Sequence, residues 1–185
     1  IPGDYNIENA LASLAVAFAL GIDKKIAQNA LESFTSIKGR MEEVQNNKGI
    51  KIIIDFAHTP SSLEQALKTL RAGMSSGRLI AVIGAEGDRD IEKRFIMGEI
   101  AQRLSNYVIV TAVDPRGQLD IINRQIAEGA TKAGAKRDQN FFVIDDRDKA
   151  IEFAINKLSK DVDTVGIFGK GHETSMNLDG KKEIP

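Results

Sequence analysis

The 185-residue sequence contains no cysteine, which excludes disulfides, thiolate nucleophiles and cysteine-based zinc sites. Its two histidines, His58 and His172, do not form the His-x-x-x-His spacing of a zinc-binding helix. Neither sign of charge prevails: 25 Lys and Arg face 26 Asp and Glu, for a net charge of −1. That balance creates no overall basic field for nucleic acid, so any phosphate contact has to be local. Long hydrophobic runs are missing as well. The longest candidate, around Leu11 to Leu20, is rich in alanine and stops at Gly21, short of the roughly 20 apolar residues of a membrane span. The opening at Ile1-Pro2-Gly3 shows neither a signal peptide nor an initiator Met, so a cytoplasmic protein and a segment of something longer are expected. A phosphate loop, Gly-x-x-x-x-Gly-Lys-Ser/Thr, would need Gly at Thr164 and a hydroxyl at Gly171. Dinucleotide-binding Gly-x-Gly-x-x-Gly and the serine-hydrolase elbow Gly-x-Ser-x-Gly do not occur either.

What remains is the composition of an ordinary folded domain, 42% apolar and 28% charged. Ile7, Leu11, Leu14 and Phe18 recur at helical spacing, and a second helix is expected from Asp23 to about Phe34 after the stop at Gly21. Beyond Gly39 the pattern turns to short β-rich runs: Lys51 to Phe56, Leu79 to Ile83, Tyr107 to Thr111, Phe141 to Ile144 and Thr164 to Phe168. Helical periodicity fills each interval, with Leu63, Leu67 and Leu70 marking the first and Ile151, Ala154 and Leu158 the last. Strands alternating with helices of this length predict an α/β fold: a doubly wound, mainly parallel sheet, entered through a short helical segment. A C-terminal hairpin is expected from Glu173 to Leu178 and Lys181 to Ile184, turning at Asp179-Gly180.

Ligands in such sheets bind beyond the carboxyl ends of the strands. The five strand ends read Asp55-Phe56-Ala57-His58-Thr59-Pro60, Gly84-Ala85-Glu86-Gly87-Asp88-Arg89-Asp90, Asp114-Pro115-Arg116-Gly117, Asp145-Asp146-Arg147 and Gly169-Lys170-Gly171-His172-Glu173. A single Asp or Arg after a strand is an ordinary cap or turn residue. Polar chemistry at all five ends, with both histidines among them, points to a site.

Taken in order, Asn6-Ile7-Glu8-Asn9-Ala10, Gly39-Arg40-Met41-Glu42, the Asp55 to Pro60 run, Gly87 to Asp90 with Lys93-Arg94, Asp114-Pro115-Arg116 and the Gly169 to Glu173 run resemble the Mur ligase family. Within it the likeness is greatest to the branch that adds the third amino acid of the peptidoglycan stem. The resemblance implies a Rossmann-like C-terminal domain over residues 38–185 that binds the amino acid. It makes residues 1–37 the helical end of a central ATPase domain, with that domain and an N-terminal UDP-sugar domain expected in cis. Its reaction would be ATP-dependent joining of a free amino acid to a UDP-N-acetylmuramoyl peptide through an acyl phosphate, with Mg held mainly by the central domain. No catalytic residue, no metal ligand and no ATP turnover are expected of the segment by itself, nor any nucleic-acid or membrane partner.

By the same resemblance Asn6, Asn9, Arg40, Asp55 and His58 lie on the nucleotide side. A carboxamide suits the adenine edge, a guanidinium suits phosphate, and a carboxylate accepts from ribose hydroxyls. Arg89, Asp114, Arg116, Gly169 and Glu173 match the amino-acid site, while Lys93, Arg94 and Lys170 either reach the ligand or remain solvated. His172 is expected to support its loop. One departure concerns specificity: diaminopimelate-adding members usually carry Asp-Asn-Pro-Arg where this chain reads Val113-Asp114-Pro115-Arg116. Arg116 favours a distal carboxylate on the substrate, whereas Asp114 could recruit a distal amine such as that of lysine. Ligases that extend folate glutamate tails or polymerise amino acids share the architecture, and a noncatalytic binding module would keep the same fold.

Overall fold

The computed structural model describes residues 3–184; Ile1, Pro2 and Pro185, which fall within the two expected domain ranges, lie outside the described residues. Contacts divide the chain into two compact units, Ile1–Ile37 and Lys38–Pro185. The first holds α1 (Asp4–Ala19) and α2 (Lys24–Ser33). Gly21 closes α1 in the left-handed region (φ 71°), where a residue with a Cβ would be strained. Asp23 then caps α2, its carboxylate accepting from the Lys25 and Ile26 N–H groups at 2.8 and 3.3 Å. Two helices have little to bury between them, and Ile7, Leu11, Val16 and Phe18 stay 57–62% exposed.

The second unit is an α/β sandwich built on a six-stranded sheet. Its strands are β1 (Glu42–Val44), β2 (Lys51–Asp55), β3 (Leu79–Ile83), β4 (Tyr107–Val110), β5 (Phe141–Val143) and β6 (Thr164–Phe168), arranged β1-β2-β6-β3-β4-β5. All pairs are parallel except β1 with β2. Every residue of β3 and β6 is buried, which is why β3 reads as a continuous apolar run and β6, though it holds Thr164 and Gly166, shows no polar alternation. One face carries α3 (Pro60–Ala72), α4 (Glu92–Leu104) and α5 (Leu119–Lys132), which pack side by side over β3, β4 and β6. Ile52, Ile80, Val82, Ile109, Val165 and Ile167 form the opposite face, against Ala150 of α6 (Arg147–Glu152) and Ala154 of the π-helical turn, Phe153–Leu158, that continues it.

Two details set the packing. Gly98 of α4 and Gly129 of α5 let those helices meet backbone to backbone, since a Cβ at either would lie 2.0 or 1.9 Å from a carbonyl oxygen of the other helix. At the amino ends of the strands, buried Asp163 accepts from the backbone N–H groups of Arg78 and Lys160 at 2.8 and 2.9 Å. It also accepts from Arg78 Nε at 3.0 Å and Nη2 at 2.5 Å, while the same guanidinium reaches Tyr107 Oη and the Leu158 carbonyl.

Two expectations need correction. The edge strand β1 has no counterpart in the sequence pattern, because Glu42-Glu43-Val44 carries no β-rich signal; it exists by pairing with β2. The hairpin is shorter than its pattern: β7 (Met176–Asn177) and β8 (Glu183–Ile184) pair over two residues each, and Glu173 sits instead in a turn whose N–H reaches the Lys170 carbonyl. The Asn177 N–H donates to Asp114 Oδ1 at 2.6 Å and its carbonyl accepts from the Arg116 N–H at 2.9 Å.

Candidate functional site

The carboxyl ends of β2, β3, β4 and β6 surround a cleft of about 480 Å³. Each wall is fixed locally. After β2, Thr59 caps α3 reciprocally with Ser62, and Pro60 occupies the first helical turn, where its missing N–H costs nothing. His58 is held at the cleft by this turn, its Nδ1 3.1 Å from the Phe56 carbonyl and its ring edge-on to Phe56. After β3, the Glu86 carboxylate lines the cleft in a short ion pair with Lys93, whose Nζ also donates to the His58 carbonyl at 3.1 Å. This pair ties the end of β2 to the start of α4 through a lysine only 7% exposed. Arg94 beside it is 1% exposed and donates to the Glu86 carbonyl and to Gln125 Oε1. Burial draws its pKa below the usual arginine value. Neither basic residue is therefore a solvated helix start, and Arg94 faces the α4–α5 interior.

After β4, Asp114 and Arg116 line the cleft as an ion pair at 3.2 Å, and Glu173 joins them from the loop after β6. Glu173 pairs with Lys170 at 2.9 Å. Arg89 also lines the cleft; it is exposed and makes no hydrogen bond or ion pair among the described residues. The lining thus carries three cations, Arg89, Lys93 and Arg116, against the carboxylates of Glu86, Asp90, Asp114 and Glu173. Such a nearly balanced site suits a zwitterion, and Arg89 is the cation without a protein counter-charge.

The remaining residues singled out by sequence lie apart from this lining. Gly169 is a support: it turns with φ 104°, and a Cβ there would press Val113 at 3.1 Å. Arg40 lays its guanidinium over the Phe56 ring, 4.3 Å from the centroid, and His172 packs on the same ring at 5.5 Å. Asp55 is buried at the end of β2 and accepts from the Met41 and Ala57 N–H groups, both at 2.8 Å. Each of its oxygens keeps a second lone pair, but the carboxylate first of all shapes the turn that carries Arg40. In the helical unit, Asn9 Nδ2 donates to Asn6 Oδ1 at 3.3 Å. Among the described residues no group of three His, Asp or Glu side chains is placed to hold a metal ion.

Three contributors were not assigned from sequence. Glu86 reads only as one acid in a polar loop, and its partner Lys93, seven positions on, belongs to a helix that begins only at Glu92. Phe56 looked like part of a strand. Arg147 supports the rim from behind, donating to the carbonyls of Ala112 and Phe168 at 3.3 and 3.2 Å and so bridging the ends of β4 and β6. Burial lowers its pKa to about 10, still well above neutrality, so it stays a cation.

Residues 39–171 match the family profile described as Mur ligase, glutamate ligase domain. UDP-N-acetylmuramoyl-L-alanyl-D-glutamate--2,6-diaminopimelate ligase of Clostridioides difficile (strain 630) is 43% identical over 175 residues, covering 94% of this chain and 35% of that protein. UDP-N-acetylmuramyl-tripeptide synthetase of Roseiflexus sp. (strain RS-1) is 38% identical over 186 residues, covering all of this chain and 36% of that protein. A solved structure of a UDP-N-acetylmuramoyl-L-alanyl-D-glutamate--2,6-diaminopimelate ligase superposes with a TM-score of 0.67 at 33% identity, over 99% of this chain and 36% of the other. The chain thus spans about a third of the length of the relatives it matches. Its parallel sheet, its ordered strand-end motifs and the extent of the profile match make it a member of the Mur ligase family.

Proposed function

We propose that the chain is the C-terminal, amino-acid-binding portion of a cytoplasmic ATP-dependent ligase of peptidoglycan synthesis. That enzyme joins an amino acid with a distal carboxylate, of the diaminopimelate type, to a UDP-N-acetylmuramoyl peptide. In the reaction a carboxylate oxygen of the peptide attacks the γ-phosphorus of ATP and ADP leaves. The amine of the incoming amino acid then attacks the acyl carbon, inorganic phosphate departs, and the amine gives up a proton as the amide forms. Little of this requires covalent chemistry from the protein, so positioning and charge placement carry the rate.

In this reading Arg89 and Arg116 hold carboxylates of the amino acid, and Glu173 accepts from its ammonium group. Arg40, Asp55 and His58 serve the nucleotide side, with Asn6 and Asn9 at the adenine edge. Magnesium and the terminal phosphates belong to the central domain, of which residues 1–37 would be the last part. The exposed apolar side chains of α1 suit burial against the rest of such a domain. The observation that carries the proposal is the cleft itself, in which two arginines face four carboxylates at the carboxyl ends of a parallel sheet.

The test is phosphate release by the full-length gene product, given ATP, magnesium, the UDP-N-acetylmuramoyl dipeptide and single amino acids. Diaminopimelate is expected to stimulate release most. Stimulation by none of them, or only by an uncharged side chain, refutes the assignment.

A further inference from the structure

We infer that Lys93 is a positioning residue: it sets the separation of the two banks of the cleft, and so acts on the step in which the reactants meet and not on the binding of either one. This rests on the nucleotide and amino-acid sides proposed above. The sheet itself leaves those banks unlatched. β2 and β3 are not neighbours; β6 runs between them, which puts them about 10 Å apart. On the β2 side the ladder reaches the rim, with Asp55 opposite Phe168 and the Gly169 N–H donating to the Asp55 carbonyl at 3.2 Å. On the β3 side it stops at Val82 opposite Ile167. Among the described residues no backbone hydrogen bond joins residues 84–90 to β6 or to the loop that follows it.

Lys93 supplies the missing tie. From the first turn of α4 its ammonium donates to the Glu86 carboxylate and, at 3.1 Å, to the His58 carbonyl. That second contact is the only hydrogen bond or ion pair among the described residues that joins residues 56–59 to residues 84–94. Each end of the tie is fixed to its own bank. The Glu86 carbonyl accepts from Arg94 Nη2 at 3.0 Å, and the next N–H, that of Gly87, donates to the Asp114 carbonyl at 2.9 Å. His58 immediately precedes the Thr59 cap of α3, and its ring stands against Phe56, over which Arg40 lies. A pull on the His58 carbonyl therefore moves the turn that carries the nucleotide side.

The lysine side chain is 8% exposed and that of Glu86 18%, and lysine is almost never so buried unless it is paired. Two of its three N–H groups are used within the protein. Each substrate is held by groups of one bank, so its affinity does not depend on where the other bank stands. Amide formation does depend on it, because the amine has to be brought against the acyl carbon that ATP has activated. A misplacement of about 1 Å there costs about a hundredfold in rate.

The full-length gene product is assayed for phosphate release with ATP, the UDP-N-acetylmuramoyl dipeptide and diaminopimelate, comparing wild type, Lys93→Met, and Lys93→Met combined with Glu86→Gln. Methionine keeps an apolar stem, and the double variant removes the carboxylate that Lys93→Met leaves unpaired, so its Tm is expected to stay close to that of wild type. Both variants are expected to lose kcat about a hundredfold, while KM for ATP and KM for diaminopimelate each move less than about threefold. A rise of about tenfold or more in one KM makes Lys93 a ligand for that substrate and overturns the inference. A stable double variant with unchanged kcat overturns it as well, since the pair is then structural only. A wild-type enzyme with no amino-acid-dependent phosphate release would refute the proposed function separately. In that event crystal structures of wild type and the double variant decide: an unchanged separation between the His58 carbonyl and the Glu86 backbone refutes the positioning role.

Discussion

Replacing Asp163 by alanine should be among the most destabilising single changes in the chain, although it lies at the pole opposite the cleft. The carboxylate is 2% exposed and accepts from two backbone N–H groups and two guanidinium nitrogens. Its loss orphans the N–H groups of Arg78 and Lys160 and leaves a cation partly buried beside Tyr107. Breaking one partner out of a buried pair costs about 3 to 5 kcal/mol. Arg78 keeps 26% of its side chain exposed and can recover some hydration, which places the expectation near the lower end, about 3 kcal/mol. Urea denaturation at neutral pH reads this as a shift of midpoint at constant slope. Burial alone would push the Asp163 carboxyl up, but the hydrogen bonds and charge of Arg78, with the Lys160 N–H, hold it below the ordinary aspartate value. A depressed folded-state pKa stabilises above the unfolded value, and that contribution is lost as pH falls through the folded one. The gap between wild type and variant should therefore be full near neutrality and shrink below about pH 4. A loss under about 1 kcal/mol at pH 7 would refute this account, because surface ion pairs are worth that much.

Further outcomes follow from the packing and the site. Gly98→Ala adds a methyl 2.0 Å from the Ile126 carbonyl oxygen; overpacking of about 1 to 3 kcal/mol should exceed the helix-propensity gain, and thermal unfolding reads the net loss. In the full-length enzyme Arg40→Ala is expected to lower kcat/KM for ATP by about one to two decades with Tm nearly unchanged. Asp55→Ala should lower both, because two backbone N–H groups lose their acceptor. The 185-residue chain alone is expected to release no phosphate from ATP on addition of amino acids, since it carries no phosphate loop.

The sheet is readable because its central strands are short, β-rich and without polar alternation, each followed by a glycine, and because helical periodicity fills each gap. Glu42 to Val44 escaped notice, since an edge strand of that composition is specified by its neighbour Lys51–Asp55 and not by its own residues. The hairpin is shorter than its pattern for a related reason: Asn177 spends its backbone groups on Asp114 and Arg116, contacts across more than sixty positions that no local pattern encodes. At the site, sequence order pointed to the loops that the structure brings around one cleft, except the one after β5, which contributes nothing to its lining. It could not identify which charges are already matched. Lys93 with Glu86 and Arg116 with Asp114 became pairs only on folding, and Arg94, expected near ligand or solvent, went into the interior because Gln125 and the Glu86 carbonyl are there to receive it.

The position of the last long strand bears on how the molecule comes into being. Thr164–Phe168 is threaded between Lys51–Asp55 and Leu79–Ile83, so the middle of the sheet is the part a ribosome delivers last. Until then the two flanking strands have no contact with each other and each presents an open edge, with His58 on one bank and Arg89 on the other. Non-local closure of this kind folds slowly and leaves pairing edges available to other chains in the meantime. The rim that carries His58 and the rim that carries Arg89 are joined only when Thr164–Phe168 pairs with both of those strands.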